Sequence, residues 1–290
     1  MRWGWAIGIL LAAALLAPIA VRLVERRPTS LPSRYTADVK RHQVEVAAAA
    51  PAPAVTDAEL APLPPPVQTY LRRVGVVGKP RVRSFHAVFA AQFRRARDAA
   101  WMDATAEQHS FFASPARLFL MRASQWGIPF VAFHRYVGDA ATMQVRIAGL
   151  FDIVNASGPE MTQGETVTML NDMCMLAPAA LVDAPITWQP AGDRQVRATY
   201  TNAGKTISAV LTFDDAGDLV GFVSEDRYQS DGKTYRRLPW STPLRNYRDF
   251  GGVRVAAEGD AMWREPDAGE WVYGRFVLKR LTYNDGMGGR

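Results

Sequence analysis

The chain has little cysteine: Cys174 stands alone in 290 residues. No internal disulfide can form, so the fold must rest on buried apolar area, which a chain of this size can supply. Cys174 lies in an apolar, Met-rich stretch, where a small buried hydrophobe is the ordinary reading and a reactive thiol the rare one. Histidine is scarce as well, with only His42, His86, His109 and His134. None shows the close-spaced pairing that marks zinc, so no metal ligand is assigned. His109 and His134 can meet across a sheet, but ordinary strand or surface histidines are the expectation. The chain has no nucleophile elbow, no phosphate loop and no dinucleotide fingerprint. No catalytic residue and no cofactor is therefore expected. A broad basic and aromatic surface is missing too, which argues against a nucleic-acid partner.

The chain does have an apolar run at its start. Trp3 to Val21 carries no charge, with Arg2 before it and Arg22, Arg26 and Arg27 after it. At about 1.5 Å per helical residue it reaches nearly across a hydrocarbon core of about 30 Å. The reading taken is an uncleaved transmembrane anchor over residues 1–27. A cleaved signal competes with it, although Ala17-Pro18-Ile19-Ala20 puts proline where a small residue is wanted. A buried or interfacial helix is the third reading. No cysteine directly follows the run, which excludes a lipoprotein anchor at that point. Counting Lys and Arg alone would keep the large domain in the cytoplasm, whereas a signal-anchor exports the domain behind it. Export is the reading taken. It gives a single-pass inner-membrane protein with its domain on the periplasmic or extracytoplasmic side. The formal charge of +6 sits partly in Arg22, Arg26 and Arg27, which suit anionic head groups, and partly in Arg94, Arg95 and Arg97.

Residues 28–62 read as a Pro/Ala-rich tether with room for one short helix. Pro28, Pro32, Pro51 and Pro53 favour extended chain. Residues 63–285 read as a single domain. It opens on a short helix in which Val67, Tyr70, Leu71 and Val74 recur at helical spacing until Gly75. Phe85, Ala87, Phe89, Ala91 and Phe93 then alternate as in a half-buried strand. Further strands are expected near 101–112, 117–123, 130–137 and 142–154. A helix over 163–176 comes next, with Val167, Leu170 and Cys174 beside Met169, Met173 and Leu176. The second half reads as a meander, with strands near 185–189, 195–201, 206–213, 218–228, 233–238, 253–264 and 271–283. Turn-forming stretches such as Asp214-Asp215-Ala216-Gly217 separate them. The expected fold is mainly β (α+β): a curved antiparallel sheet or incomplete barrel with a helix packed on the concave face.

Such a trough suits an apolar ligand. Phe111, Phe112, Phe119, Met121, Trp126 and Phe130 are candidates to line it, with Met169, Met173 and Met175 above. The competing reading is an ordinary core under a helix. Arg227, Tyr228 and Trp240, with Arg236 and Arg237, form a cluster suited to a carboxylate or phosphate head group, or to pairing with Glu225 and Asp226. Glu165 and Asp172 lie seven apart on one helical face, where solvated charge is the ordinary reading and paired-carboxylate hydrolysis the rare one.

Several stretches resemble a known family. They include Ile186-Thr187-Trp188, Leu211-Thr212-Phe213-Asp214-Asp215-Ala216-Gly217, Glu225-Asp226-Arg227-Tyr228, Gly251-Gly252-Val253-Arg254-Val255 and Ala261-Met262-Trp263. Upstream, Leu63-Pro64-Pro65-Pro66-Val67-Gln68-Thr69-Tyr70-Leu71 is similar to its opening. The family is an uncharacterised bacterial domain of unknown function (DUF6544/DUF6920-like) and brings no assigned reaction. Its members commonly carry Arg and Glu on the central helix, where this chain has Thr168-Met169-Leu170-Asn171-Asp172-Met173-Cys174. The resemblance implies a fold similar to the periplasmic lipoprotein carriers (LolA/LolB-like), which hold acyl chains under helices.

Taken together, the residues and the resemblance lead to a membrane-anchored, non-enzymatic protein that binds a lipid or other hydrophobic ligand in the bacterial envelope. Its expected partners are that ligand, the membrane and an envelope protein. The alternatives are an envelope scaffold with a filled interior and an exposed apolar patch, or a hydrolase assembled around His109, His134 and Asp172.

Overall fold

The computed structural model describes residues 23–50, 52–230 and 234–285. The apolar run Trp3–Val21 lies outside them. Among the described residues no helix is long and apolar enough to cross a membrane.

Three helices matter. Helix α1, Leu31–Ala48, occupies the stretch read as a Pro/Ala-rich tether with room for one short helix, and at 18 residues it is longer than that reading allowed. Ser30 caps it by accepting from the Ser33 amide at 3.2 Å, and Pro32 sits in the first turn, where its missing N–H costs nothing. Leu31, Tyr35, Val39, His42 and Val46 form one buried stripe along it. Helix α2, Pro65–Arg73, is the short helix read from the sequence; Gly75 lies just beyond it at φ 79. Helix α3, Pro159–Leu176, begins four residues earlier than expected. It is buried on nearly every side, so it shows no single apolar stripe.

The strands are β1 (Ser84–Phe93), β2 (Met102–Phe111), β3 (Ala116–Gln125), β4 (Ile128–Val137), β5 (Ala140–Ile147) and β6 (Phe151–Ser157). After α3 come β7 (Ile186–Gly192), β8 (Gln195–Asn202), β9 (Lys205–Phe213), β10 (Leu219–Ser224), β11 (Tyr228–Ser230) and β12 (Tyr235–Arg237). The last are β13 (Trp240–Phe250), β14 (Val253–Glu265) and β15 (Gly269–Tyr283). Three expectations change. The single strand expected over 142–154 is two, because Ala148 and Gly149 turn the chain at φ 51 and 71. The long strand expected over 218–228 stops at Ser224, and β11 and β12 form a separate small hairpin. Strand β13 was hidden by its polar residues, Arg245, Asn246, Arg248 and Asp249, all of which stay exposed.

All strands but β11 and β12 join one antiparallel sheet in the order β6-β5-β4-β3-β2-β1-β15-β14-β13-β10-β9-β8-β7. It is a large open curved sheet, not closed into a barrel, with a helix packed against it, as expected from the sequence. The order explains where α3 must go. It connects the two outermost strands, β6 and β7, so it crosses the concave side from one edge to the other. The arms come close beside it, where Asn202 on β8 donates to the Tyr136 hydroxyl on β4 at 2.5 Å.

Successive residues of a strand face opposite sides of the sheet. Phe119 therefore joins the large core around α3, while Leu118 and Leu120 join Phe111, Val131 and Phe133 in a smaller core under α1. The sheet's N-terminal arm is covered on both faces.

Candidate functional site

The trough under α3 holds most of the side chains read as ligand-lining. Phe119, Met169, Met173 and Trp240 are buried in its core, and Met121 and Phe112 pack at its margin. Arg227 reaches in from the loop after β10. Its guanidinium lies 4.3 Å from the Trp240 ring centre and donates to the Thr168 hydroxyl at 2.6 Å. Tyr228 is half-buried on the small hairpin against Tyr235. Two candidates lie apart. Phe111 is in the outer core beneath α1. Trp126 sits on the β3–β4 turn at φ 52, 89% exposed, because the turn carries its side chain beyond the sheet.

A buried polar network runs through the same trough. Arg117 on β3 donates to Glu165 at 3.0 Å and to Asp172 at 2.6 Å. Gln108 on β2 donates to the same Asp172 oxygen at 2.6 Å. His134 Nδ1 is 3.4 Å from Glu165, and Arg227 is 3.8 Å from it. Burial alone would push both carboxyls up. At Glu165 the attraction of Arg117, His134 and Arg227 wins, and the group is held well below the usual carboxylate range. At Asp172 burial wins over Arg117 and Gln108, and its pKa is raised. Two guanidiniums face two carboxylates, so the network is balanced and has no surplus positive charge for an anionic head group. This is a structural use of charge: both buried carboxyls meet donors supplied by the fold itself.

The hydrolase grouping does not assemble. His134 and Asp172 face the trough, but His109 lies on the outer face, where it shares a 2.7 Å hydrogen bond with Tyr35 of α1. Its cross-strand partner there is His86 on β1, with the rings stacked 4.1 Å apart. Glu107 joins these two histidines in a group able to ligate a metal ion, which spacing along the sequence alone did not suggest.

Among the described residues, two solvent-open clefts flank the N-terminal arm. One, of about 280 Å³, lies at the C-terminal end of α3 between the sheet's arms, lined by Phe112, Met173, Ala180, Pro185, Tyr200 and Asn202 among others. The other, of about 230 Å³, lies at the opposite end of the N-terminal arm, lined by Val24, Arg27, Thr29, Ser30, Arg146, Gly149 and Leu150. Around this second cleft the surface is unusually apolar. Ile128, Leu150 and Ile153 are exposed beside Trp126, and Phe151 is 67% exposed. The Ala148 amide donates to the Pro129 carbonyl at 2.8 Å, tying the β3–β4 and β5–β6 turns into one rim. Val24 lies against Gly149, where a Cβ would come within 2.8 Å of it. The first described residues therefore lie against this rim. Arg95 donates to Gln125, next to Trp126, and adds positive charge there.

Sequence reasoning missed Arg117, Gln108 and the rim residues Ile128, Leu150, Phe151 and Ile153. Arg117 had a signal: it is the one charge inside Ala116-Arg117-Leu118-Phe119-Leu120 and needed an acidic partner.

The pattern of a family of unknown function, DUF6544, matches residues 53–276, and the chain belongs to that family. No curated protein matches it in sequence. Solved structures are similar at low identity. A DUF1329 family protein from Desulfovibrio piger is 12% identical, with 77% of this chain and 93% of that one covered at a TM-score of 0.43. A domain from Vibrio parahaemolyticus, provisionally described as an outer membrane lipoprotein-sorting protein, is 13% identical, with 71% and 87% covered at 0.39. A LolA superfamily protein from Nitrosomonas europaea is 11% identical, with 70% and 86% covered at 0.39.

Proposed function

We propose that this member of the family is a membrane-anchored, non-enzymatic binding protein that works at the bilayer surface of the bacterial envelope and takes a lipid or other hydrophobic ligand there. The observation that carries the reading is the rim formed by Trp126, Ile128, Leu150, Phe151 and Ile153. Contiguous exposed apolar side chains mark an interaction surface. Here they lie at the end of the sheet where residues 23–30 arrive from the apolar run. Trp and Phe suit the membrane interface, and Arg26, Arg27 and Arg95 suit anionic head groups beside it. The cleft lined by Arg27, Arg146 and Leu150 combines charged and apolar lining, as a head-group site does. The trough is filled, so it offers no room for a whole acyl chain. The cleft beside Met173 and Tyr200, of about 280 Å³, has room for part of one.

Native mass spectrometry of the gently purified full chain, with lipid extraction of the same sample, tests this. A stoichiometric co-purifying lipid is expected, and loss of it in Phe151→Ser. A lipid-free protein would instead favour an envelope scaffold that binds another protein through the same rim. The filled trough beside an exposed apolar patch is the observation that supports this second reading.

A further inference from the structure

We propose that the outer face of the sheet carries a divalent metal site of the zinc type, built by His86, Glu107 and His109. The inference is independent of the membrane reading. Register places the group. His86 and His109 are direct partners across β1 and β2, and Glu107 is two residues from His109 on the same face. The ligand atoms they offer all lie within 4.8 Å of one another. A tetrahedral zinc with bonds of about 2.0 Å holds its ligand atoms about 3.3 Å apart. The His86 and His109 rings stack nearly parallel, so they turn out of that stack to aim at a common ion, and Glu107, whose side chain is partly exposed, closes the remaining distance.

The surroundings of the two rings point the same way. A ligating histidine normally turns its other ring nitrogen to an oxygen, which fixes the tautomer and the ring plane. His109 Nδ1 is 2.7 Å from the Tyr35 hydroxyl. His86 Nδ1 is 3.8 Å from an Asp285 oxygen, outside hydrogen-bond reach here but within it after a small turn of the ring. That leaves Nε2 of each ring as the ligand atom, and His86 Nε2 is already 2.9 Å from Glu107. Arg280 faces the group from β15, so the two carboxylates Glu107 and Asp285 leave a net negative charge for a dication. Two imidazoles and a carboxylate suit zinc, and three protein ligands leave a fourth position for water or for a donor from a partner. Tyr35 belongs to α1, so an ion here would also fasten that helix to the sheet.

The test is calorimetric titration of the metal-stripped full chain, in detergent micelles, with Zn²⁺ alone. One ion per chain is expected, with a rise in the thermal midpoint. Tyr35→Phe removes an orienting group and no ligand, and should weaken binding about 10- to 100-fold. Glu107→Gln and His86→Gln should weaken it more and abolish the rise in midpoint. Glu107→Gln alters a partly exposed side chain, so its metal-free midpoint should match that of the native chain, which separates loss of the ion from loss of the fold. Absence of saturable binding would overturn the site. So would an affinity that Glu107→Gln and His86→Gln leave unchanged, since the ion would then be adventitious.

Discussion

On β3 the side chains of Arg117 and Phe119 enter the trough, while those of Leu118 and Leu120 go to the outer face. The same strand serves two cores of different kinds. The inner one is large and is threaded by the Arg117, Glu165 and Asp172 network. The outer one is small, packs the His42 and His109 rings against Phe111, and is closed by a single helix that comes after the apolar run. The C-terminal arm offers a third situation: β9 alternates buried and less buried residues along its length, as a strand covered on one side does. Burial on two sides makes the N-terminal arm depend on α1. The C-terminal arm has no such dependence.

The largest effect should come from the inner face. Arg117→Ala leaves Glu165 and Asp172 buried without their guanidinium and should cost about 3–5 kcal/mol, read by denaturant unfolding. A loss below about 1 kcal/mol would mean that water reaches the network. On the outer face, Leu118→Ala should cost about 2–5 kcal/mol. A much smaller value in the same assay would show that α1 does not hold the outer core closed.

Acid sharpens the comparison. The folded-state pKa of Glu165 lies below its unfolded value of 4.5. Its contribution is therefore fully present above pH 4.5 and is lost as pH falls through the lower, folded value. Thermal midpoints measured from about pH 7 down to about 3 should fall less steeply for Glu165→Gln than for the native chain; parallel curves would remove Glu165 from the acid response.

The smallest stability effect belongs to the rim. Trp126→Ser should change stability by no more than about 0.5 kcal/mol, because the side chain is exposed. Trp126 fluorescence in nanodiscs should nonetheless be quenched by lipids labelled near the head group. An unquenched Trp126 would place the rim away from the bilayer.

Much of this architecture could be read from the residues. The alternation in Val196, Ala198 and Tyr200, or in Ile207, Ala209 and Leu211, is typical of a half-buried strand, and these strands fall where expected. Helix α1 was obscured by its flanks. Its stripe of Leu31, Tyr35, Val39, His42 and Val46 has helical spacing, but prolines on both sides and the alanines at its end suggest extended chain. The trough was legible as a set of residue types, since Met169, Met173, Phe119 and Trp240 do gather there. Its polar network was not, because Arg117 meets partners 48 and 55 residues away. The metal-ligating group was hidden for a similar reason. His86 and His109 are far apart in the chain and meet only because a long hairpin sets them opposite one another.

The pairing of the first strand with the last has a consequence for the order of folding. Phe85 sits opposite Tyr283, so the centre of the sheet waits for the end of the chain. The hairpins of each arm can form as they are synthesised, because their contacts are local. Until β15 arrives, β1 has an open edge, and the two arms are not yet joined into one sheet. A ribosome stalled before residue 269 would release a chain with every element of the N-terminal arm and no continuous sheet. During synthesis that edge is the surface most exposed to wrong pairing, and a chaperone or a nearby membrane would have to shield it.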